Sequence, residues 1–380
     1  MGEVVIIPAT KPVLLERFGL FYLDLFRKRD LTHDVFDHAD TVLAKMVERI
    51  SLKGILLSSI AGIVLVFPTV WVNIHFANSK PIIHYSWVAG VTLISVAIEL
   101  YLLFIIALKA VYDVSDIINM KANEKDFLKD GAFSVKNILA RTALELPDPE
   151  LEILGIDPFE RISKKNLFVL GLLYKAKIFL TNLVLKYALL FAVGNTLWGI
   201  PILYAALLVE AFWNGVVISK VVNEARLRLF GFALAHHIAN NVLQERLVQQ
   251  LSPEAKIGCL RAIGNAVVMA QNYHPNMIIL LLHFQQLLQI NKEDKYDDWG
   301  LFINTLNNVQ KHERNFLLDI FTIAAAFDGK ISDLEQESFR AAYGDEYDLY
   351  YPRLKLLTNH LNHGRLNAAL ALCDIDFTKG

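Results

Sequence analysis

The sequence is poor in charged residues and in cysteine, and both shortages limit the classes of protein it can belong to. Only 20% of its 380 residues are charged and 54% are hydrophobic, whereas soluble domains average about 25% charged residues. Two cysteines cannot form the disulfide framework of a small secreted fold. A formal net charge of −2 argues against a nucleic-acid-binding protein, which usually has a basic domain. We therefore expect a membrane protein without a nucleic-acid partner.

Motifs that carry catalysis are also missing. The sequence has no glycine-rich phosphate loop, no nucleophile elbow and no acid pair with a positioned base. His236 and His237 are neighbours on a predicted helix and point in different directions, so we do not expect them to share a metal. His360 and His363 have an i, i+3 spacing that could chelate a metal, but neither stands beside a glutamate in the order of a zinc protease. We expect a protein that is not an enzyme and needs no cofactor.

Long apolar runs account for the hydrophobic excess. Gly54–Ala77 and Tyr85–Val111 are each long enough to span about 30 Å of hydrocarbon, and the short connector between them predicts an antiparallel hairpin. Pro68 lies inside the first run, where a membrane helix tolerates proline. Asn166–Gly194 and Leu197–Ile218 predict a second hairpin. The expected fold is an all-α polytopic membrane protein with four transmembrane helices in two hairpins and a soluble helical C-terminal domain.

The distribution of basic residues predicts the orientation of these helices. Lysine and arginine are concentrated before the first hairpin, between the hairpins and after the last span, whereas the hairpin tips carry only Lys80. The positive-inside rule then places both termini in the cytoplasm. The predicted segments are a cytoplasmic amphipathic segment (1–52), a first hairpin (53–112), a cytoplasmic linker (113–165), a second hairpin (166–220) and a cytoplasmic helical domain (221–380).

The N-terminal segment carries a helical pattern of its own. Apolar side chains recur at helical spacing within residues 12–50: Leu14, Leu15, Phe18, Phe21, Tyr22 and Leu25. Such a helix could pack on the rest of the protein. It could also lie at the membrane surface, where Arg27, Lys28 and Arg29 would assist binding. The sequence leaves both alternatives open.

Charged residues within the predicted spans are the first functional candidates, because charge at membrane depth is costly and rare. Lys186 and Glu210 lie at axial depths of roughly 16 and 20 Å from the second hairpin tip, at 1.5 Å per residue. They can therefore face each other. Glu99 lies about 25 Å from the first tip. Either these residues form an ion or proton pathway, or they form an ion pair that holds helices in register.

The C-terminal third has the composition of a soluble helical domain. Ser252 and Pro253 mark a helix start, with serine as the cap and proline at the first helical position. No β-strand pattern is present. The predicted helices are 254–272, 275–291, 297–308, 310–326, 333–342 and 350–372.

A tight turn between two of these helices carries the most informative motif. Asp328 and Gly329 turn the chain, Ile331 is expected to enter the core, and Ser332 with Glu335 forms a capping box. A calcium-binding EF-hand alignment fails, because alanines fall at its first two ligand positions.

This segment resembles the helix–turn–helix element of TerB-like domains, the helical modules of tellurite-resistance and related bacterial stress systems. Ala326, Asp328, Gly329, Ile331 and Glu335 match the usual pattern of a small-residue helix followed by Asp-Gly-x-Ile-x-x-x-Glu. The resemblance implies a bacterial, envelope- or stress-related membrane complex. It also associates the family with metal binding, for which Asp328 and Glu335 are the candidate ligands here. A second acidic turn is missing, and a purely structural turn is the alternative.

These observations favour a non-enzymatic membrane anchor or accessory subunit in a bacterial inner membrane. Its expected partners are the lipid bilayer and other protein subunits, among them a second copy of the chain. The cytoplasmic domain is expected to bind the protein partner. The alternative is an ion or proton channel or transporter that uses Glu99, Lys186 and Glu210.

Overall fold

A computed structural model describes residues 14–26, 35–118, 135–144, 155–157, 199–242, 250–271, 273–288, 290, 295–331 and 333–373. Within these ranges 87% of the residues are helical and no strand occurs, which confirms the all-α class. The α-helices in the described ranges are α1 (Leu14–Phe26), α2 (Asp40–His75), α3 (Pro81–Ile117), α4 (Val135–Ala143), α5 (Gly199–His237), α6 (Pro253–Ala270), α7 (Pro275–Leu288), α8 (Trp299–Asn308), α9 (Lys311–Ala326), α10 (Asp333–Tyr343), α11 (Tyr347–Asn362) and α12 (Leu366–Leu372).

The chain divides into two compact units. We call residues 48–111 and 162–222 the apolar unit, and residues 1–47, 112–161 and 223–380 the helical unit. The apolar unit therefore contains the predicted second hairpin and all of the first except its last residue, Tyr112. Of the second hairpin, the structure describes the part from Gly199 onward, and the predicted helix 166–194 lies outside the described residues.

Helices α2 and α3 are both long and apolar enough to cross a bilayer. Each is longer than the apolar run that predicts it, since α2 begins at Asp40 and α3 ends at Ile117. Polar residues extend the helices beyond the apolar runs because they are compatible with helical backbone even where they are not compatible with lipid. Pro68 lies inside α2 without ending it.

The N-terminal segment forms two helices where the sequence predicts one over residues 12–50. Helix α1 ends at Phe26, a short 3₁₀ turn covers Val35–Asp37, and a bend at His38 precedes α2. The prediction of a single helix is wrong because periodicity alone does not locate this break. Asp40, the first residue of α2, accepts hydrogen bonds from the backbone nitrogens of Asn367 (2.8 Å) and Ala368 (3.1 Å).

The predicted linker also contributes to the helical unit. It contains α4, and residues 155–157 are held by two hydrogen bonds to the C-terminal part of the chain. The hydroxyl of Tyr273 donates to the carbonyl of Ile156 at 2.7 Å, and the backbone N–H of Asp157 donates to Asp297 at 3.0 Å. This part of the linker is therefore anchored to the C-terminal helices.

The C-terminal helices begin and end close to the predicted bounds. Ser252 caps α6, with its side-chain oxygen accepting from the backbone of Ala255 at 3.2 Å. The exception is the predicted helix 350–372, which is two helices, α11 and α12. The break falls at Gly364, whose φ of +66° glycine adopts at little cost. Aromatic rings of Phe302, Phe321 and Phe339 pack together in the core of this unit.

Candidate functional site

The apolar unit exposes large apolar side chains and buries several polar ones beside its apolar core. Leu93, Leu208 and Phe212 are each at least 70% exposed. Its buried side chains include six polar ones: Ser58, Thr69, Thr92, Ser95, Glu99 and Asn214. Water favours the opposite distribution, whereas lipid favours apolar side chains outside and polar ones inside. These buried polar side chains are therefore the candidate site of the apolar unit.

Glu99 lies at the midpoint of α3 and is almost fully buried. The amide nitrogen of Asn214, on α5, donates to Glu99 Oε1 at 2.8 Å. The same nitrogen lies 3.4 Å from the carbonyl oxygen of Ser58 on α2. One asparagine amide thus connects all three described helices of the apolar unit. A hydrogen bond is stronger in a medium of low dielectric constant than in water.

Small residues let α2 and α5 approach closely around this amide. A Cβ added to Gly62 would lie 2.5 Å from the amide nitrogen of Asn214. The hydroxyl of Ser59 donates to the carbonyl of Ala211 at 2.7 Å. Gly215 faces Ile55, with 3.1 Å between an added Cβ and the isoleucine Cγ2. Small residues and side-chain-to-backbone hydrogen bonds of this kind are typical of helix interfaces in membranes.

The predicted charged residues differ in what the structure says of them. Glu99 is one of the buried polar side chains, and Glu210 lies one turn before Asn214, with its Cγ 3.4 Å from the position of a Cβ on Gly62. Lys186 lies outside the described residues, so its pairing with Glu210 stays a prediction. Asn214 is the residue that sequence reasoning missed as a partner for Glu99. An uncharged asparagine in an apolar run gives little signal, and the two residues are far apart in sequence.

Two buried hydroxyl groups lie on the same face of α3 as the Glu99 carboxylate. Thr92, Ser95 and Glu99 have i, i+3, i+7 spacing and share one face of the helix. Among the residues that the structure describes, Thr92 Oγ1 has no hydrogen-bond partner, nor have Thr69 Oγ1 and Asn214 Oδ1. Buried polar atoms normally have partners, and the cost of leaving them without is high away from water. Water or a small cation could interact with such oxygen atoms.

The Asp328–Gly329 turn is a second candidate site, in the helical unit. Gly329 has a φ of +73°, and the amide of Asn362 donates to its carbonyl at 2.7 Å. Asp328 Oδ1 accepts from the backbone of Lys330 at 3.0 Å, which closes the turn. Ile331, predicted to enter the core, is only half-buried. Ser332 lies outside the described residues, so the predicted capping box is not tested.

Burial dominates the chemistry of Asp328. The pKa of this carboxyl is raised to about 7, chiefly by burial. The neighbouring Glu335 and Glu224 also raise it, whereas the backbone N–H and the positive charge of Lys330 lower it. Glu335 is also buried. In the described part of the chain, no group of three or more His, Cys, Asp or Glu side chains could hold a metal. A metal at Asp328 and Glu335 would therefore lack a full set of protein ligands from the described residues.

The histidines do not make the contacts that their spacing in the sequence indicates. His236 Nδ1 lies 3.3 Å from Nε2 of His283, both rings being buried, whereas His237 packs on Phe36 with ring centroids 4.4 Å apart. The pair His236–His283 was not identified from the sequence, because its members belong to different helices. His363 is exposed and its Nδ1 lies 2.8 Å from the carbonyl of Asn359.

Comparison of the chain with protein-family models, with curated proteins and with solved structures gives no match. The resemblance of residues 324–339 to TerB-like domains therefore stays a prediction.

Proposed function

We propose that this chain is an integral membrane protein with four spans and cytoplasmic termini, acting as an anchor or accessory subunit without enzymatic activity. The observation that carries the proposal is the exposure of large apolar side chains on the apolar unit, together with the polar side chains buried inside it. Each large apolar side chain that moves from water to lipid gains about 1.5–3 kcal/mol when fully buried. The placement in a bacterial inner membrane, and the link to envelope stress, rest on the TerB-like resemblance alone.

The helical unit supplies the partner-binding surface in this proposal. Leu349 and Leu356, both on α11, are 68% and 51% exposed. Their i, i+7 spacing puts them on one side of the helix. Exposed apolar side chains grouped in this way often mark protein interaction sites. We assign this side of α11 to a protein partner.

Reporter fusions test the membrane part. Alkaline phosphatase, active only outside the cytoplasm, and a fluorescent protein, active only inside, are fused in separate experiments after residue 78 and after residue 380. The proposal predicts phosphatase activity at 78 and fluorescence at 380. Fluorescence at 78 would contradict the first hairpin, and phosphatase activity at 380 would contradict the cytoplasmic C-terminus.

Native purification tests the partner. The full-length protein is extracted in mild detergent, and the proteins that co-purify are compared with those bound to Leu349→Glu/Leu356→Glu. The matched control is Leu301→Glu, a change at another exposed leucine of the helical unit. We expect the double variant to lose a stoichiometric partner that the wild type and the control retain. Identical co-purifying proteins in all three would exclude this surface.

A second function is supported by the Glu99–Asn214 contact and by the two buried hydroxyl groups on the same face of α3. A carboxylate in the middle of a membrane-crossing helix is a functional-site hypothesis by default. In this alternative, Glu99 with Lys186 and Glu210 forms part of a proton or ion pathway.

Flux measurements test this alternative. The protein is reconstituted in liposomes, and proton or cation movement is followed for the wild type, Glu99→Gln and Asn214→Leu. Leu93→Ala, which changes an exposed apolar residue of α3, is the control. The pathway predicts flux in the wild type and the control and its loss in the other two. Absence of flux in the wild type, with the protein correctly inserted, would leave Glu99 as a structural group.

A further inference from the structure

Helix α1 has one face that packs within the helical unit. Glu16 and Arg141 of α4 form a buried ion pair of 2.9 Å. Gly19 lies close to α4 as well, because a Cβ added there would be 3.0 Å from the Cβ of Ala140. Leu23, also buried, completes this face. The packing alternative for the N-terminal helix thus holds for one side of α1.

The opposite side of α1 is exposed and partly apolar. Phe21 and Leu25 are 65% and 64% exposed, and Arg17 is exposed as well. Their i, i+4, i+8 spacing aligns them in one stripe, which we call the outer stripe (Arg17, Phe21 and Leu25). Two large apolar side chains in one stripe are costly to leave in water. The outer stripe is therefore a candidate surface for binding lipid or another protein.

Aromatic rings form the border between the two sides. Phe18 and Tyr22 have centroids 4.8 Å apart, and Tyr22 and Phe26 are 6.3 Å apart. Phe26 in turn contacts the ring of Tyr112 on α3, at 6.0 Å. Tyr112 is the first residue after the apolar run Tyr85–Val111. The end of α1 therefore lies beside the place where α3 changes from apolar to polar, which is where a spanning helix leaves the hydrocarbon.

We propose that α1 is an interfacial helix, whose outer stripe lies in the headgroup region of the bilayer and binds anionic lipid. Amphipathic helices bind membranes in this way, with aromatic and apolar side chains at the acyl boundary and basic ones at the headgroups. The inference rests on the proposed membrane anchoring and adds a lipid contact outside the spanning helices.

The local charge selects lipid over a second copy of the chain. Residues 11–30 contain five basic and three acidic residues, and one of the acids, Glu16, is neutralised by Arg141. Anionic headgroups attract such a segment, with about 1 kcal/mol for each basic residue near the surface. Two copies that met at the outer stripe would bring two segments of net positive charge together in either orientation, and like charges repel.

A site-specific fluorescent probe tests the proposal in the full-length protein. A thiol-reactive probe is attached to Phe21→Cys or Leu25→Cys in nanodiscs, with and without anionic lipid. The native Cys259 and Cys373 are fully buried, so the introduced thiol takes the label. Leu349→Cys is the matched control, because Leu349 is about as exposed as Phe21 but belongs to the surface assigned to a protein partner. Quenching is measured with aqueous iodide and with a quencher attached to lipid headgroups.

We expect the lipid-attached quencher to quench probes at positions 21 and 25, and iodide quenching to be largely lost there. Anionic lipid should strengthen this pattern, and added salt should weaken it. The control should show iodide quenching only. Free access of iodide at positions 21 and 25 would overturn the proposal, and so would shielding from both quenchers, which would indicate a protein occupant. Failure of the protein to enter nanodiscs at all would instead contradict the proposed membrane anchoring.

Discussion

Neutralising Asp328 is expected to stabilise the helical unit above neutral pH. Burial raises the pKa of this carboxyl from 3.8 to about 7. The folded chain therefore favours the neutral form of the carboxyl. The contribution of this carboxyl to the stability of the fold is present below pH about 4 and is lost as the pH rises to about 7. A shift of about three units corresponds to at most about 4 kcal/mol, at 1.36 kcal/mol per unit. Asp328→Asn removes this loss and keeps an oxygen that can accept from the backbone N–H of Lys330.

Thiol exposure in urea provides a readout specific to the helical unit. Cys259 and Cys373 both belong to that unit and are fully buried, so a thiol reagent reaches them when the unit opens. A gain of 2 kcal/mol would move the urea midpoint by about 1 M, at a typical slope of about 2 kcal/mol per M. We expect Asp328→Asn to raise the midpoint by more at pH 8 than at pH 5, because the loss of stability in the wild type begins above pH about 4 and is complete above pH about 7. Asp345→Asn, at an exposed position, is the control. Equal midpoints of variant and wild type at pH 8 would refute the assignment of a costly buried charge.

Three further predictions concern single contacts in the helical unit. Gly329→Ala should destabilise the unit by about 1–3 kcal/mol in the same urea assay, because the backbone has positive φ and the new Cβ would lie 2.7 Å from Leu227 Cδ2. Arg141→Met should remove the positive charge that pairs with the buried Glu16 carboxylate, which costs about 3–5 kcal/mol of stability. We expect faster proteolysis of the N-terminal segment in this variant, and partial reversal of that effect when Glu16→Gln is added. Native Cys373 should not react with thiol reagents, since burial raises its pKa to about 12; rapid modification without denaturant would contradict its burial.

Local signals in the sequence predicted much of the helical unit. Helix α6 begins at Pro253 as expected, because serine caps and proline at the first helical position act through neighbouring backbone groups. The prediction of one helix over 350–372 is wrong at Gly364, where the chain leaves α11. Glycine is compatible with a helix, and only its positive φ in the folded chain ends α11.

Contacts between distant residues were beyond the sequence. Glu99 was identified because charge is rare in an apolar run, but its donor, Asn214, follows it by 115 residues and is one of several asparagines near the spans. The packing of α1 on α4 likewise depends on Glu16 and Arg141, each of which alone looks like an ordinary surface charge. A single sequence does not show which of these residues form a pair, because they come together only when the helices pack in three dimensions.

Spin-label accessibility measures whether the apolar unit faces lipid. A nitroxide is attached to Leu93→Cys or Leu208→Cys, both at strongly exposed positions of the apolar unit, in nanodiscs. Collision rates with oxygen, which concentrates in lipid, are compared with those of a water-soluble nickel chelate. We expect high oxygen accessibility and low nickel accessibility at both positions. High nickel accessibility at both, equal to that of a label at Leu349→Cys, would contradict it.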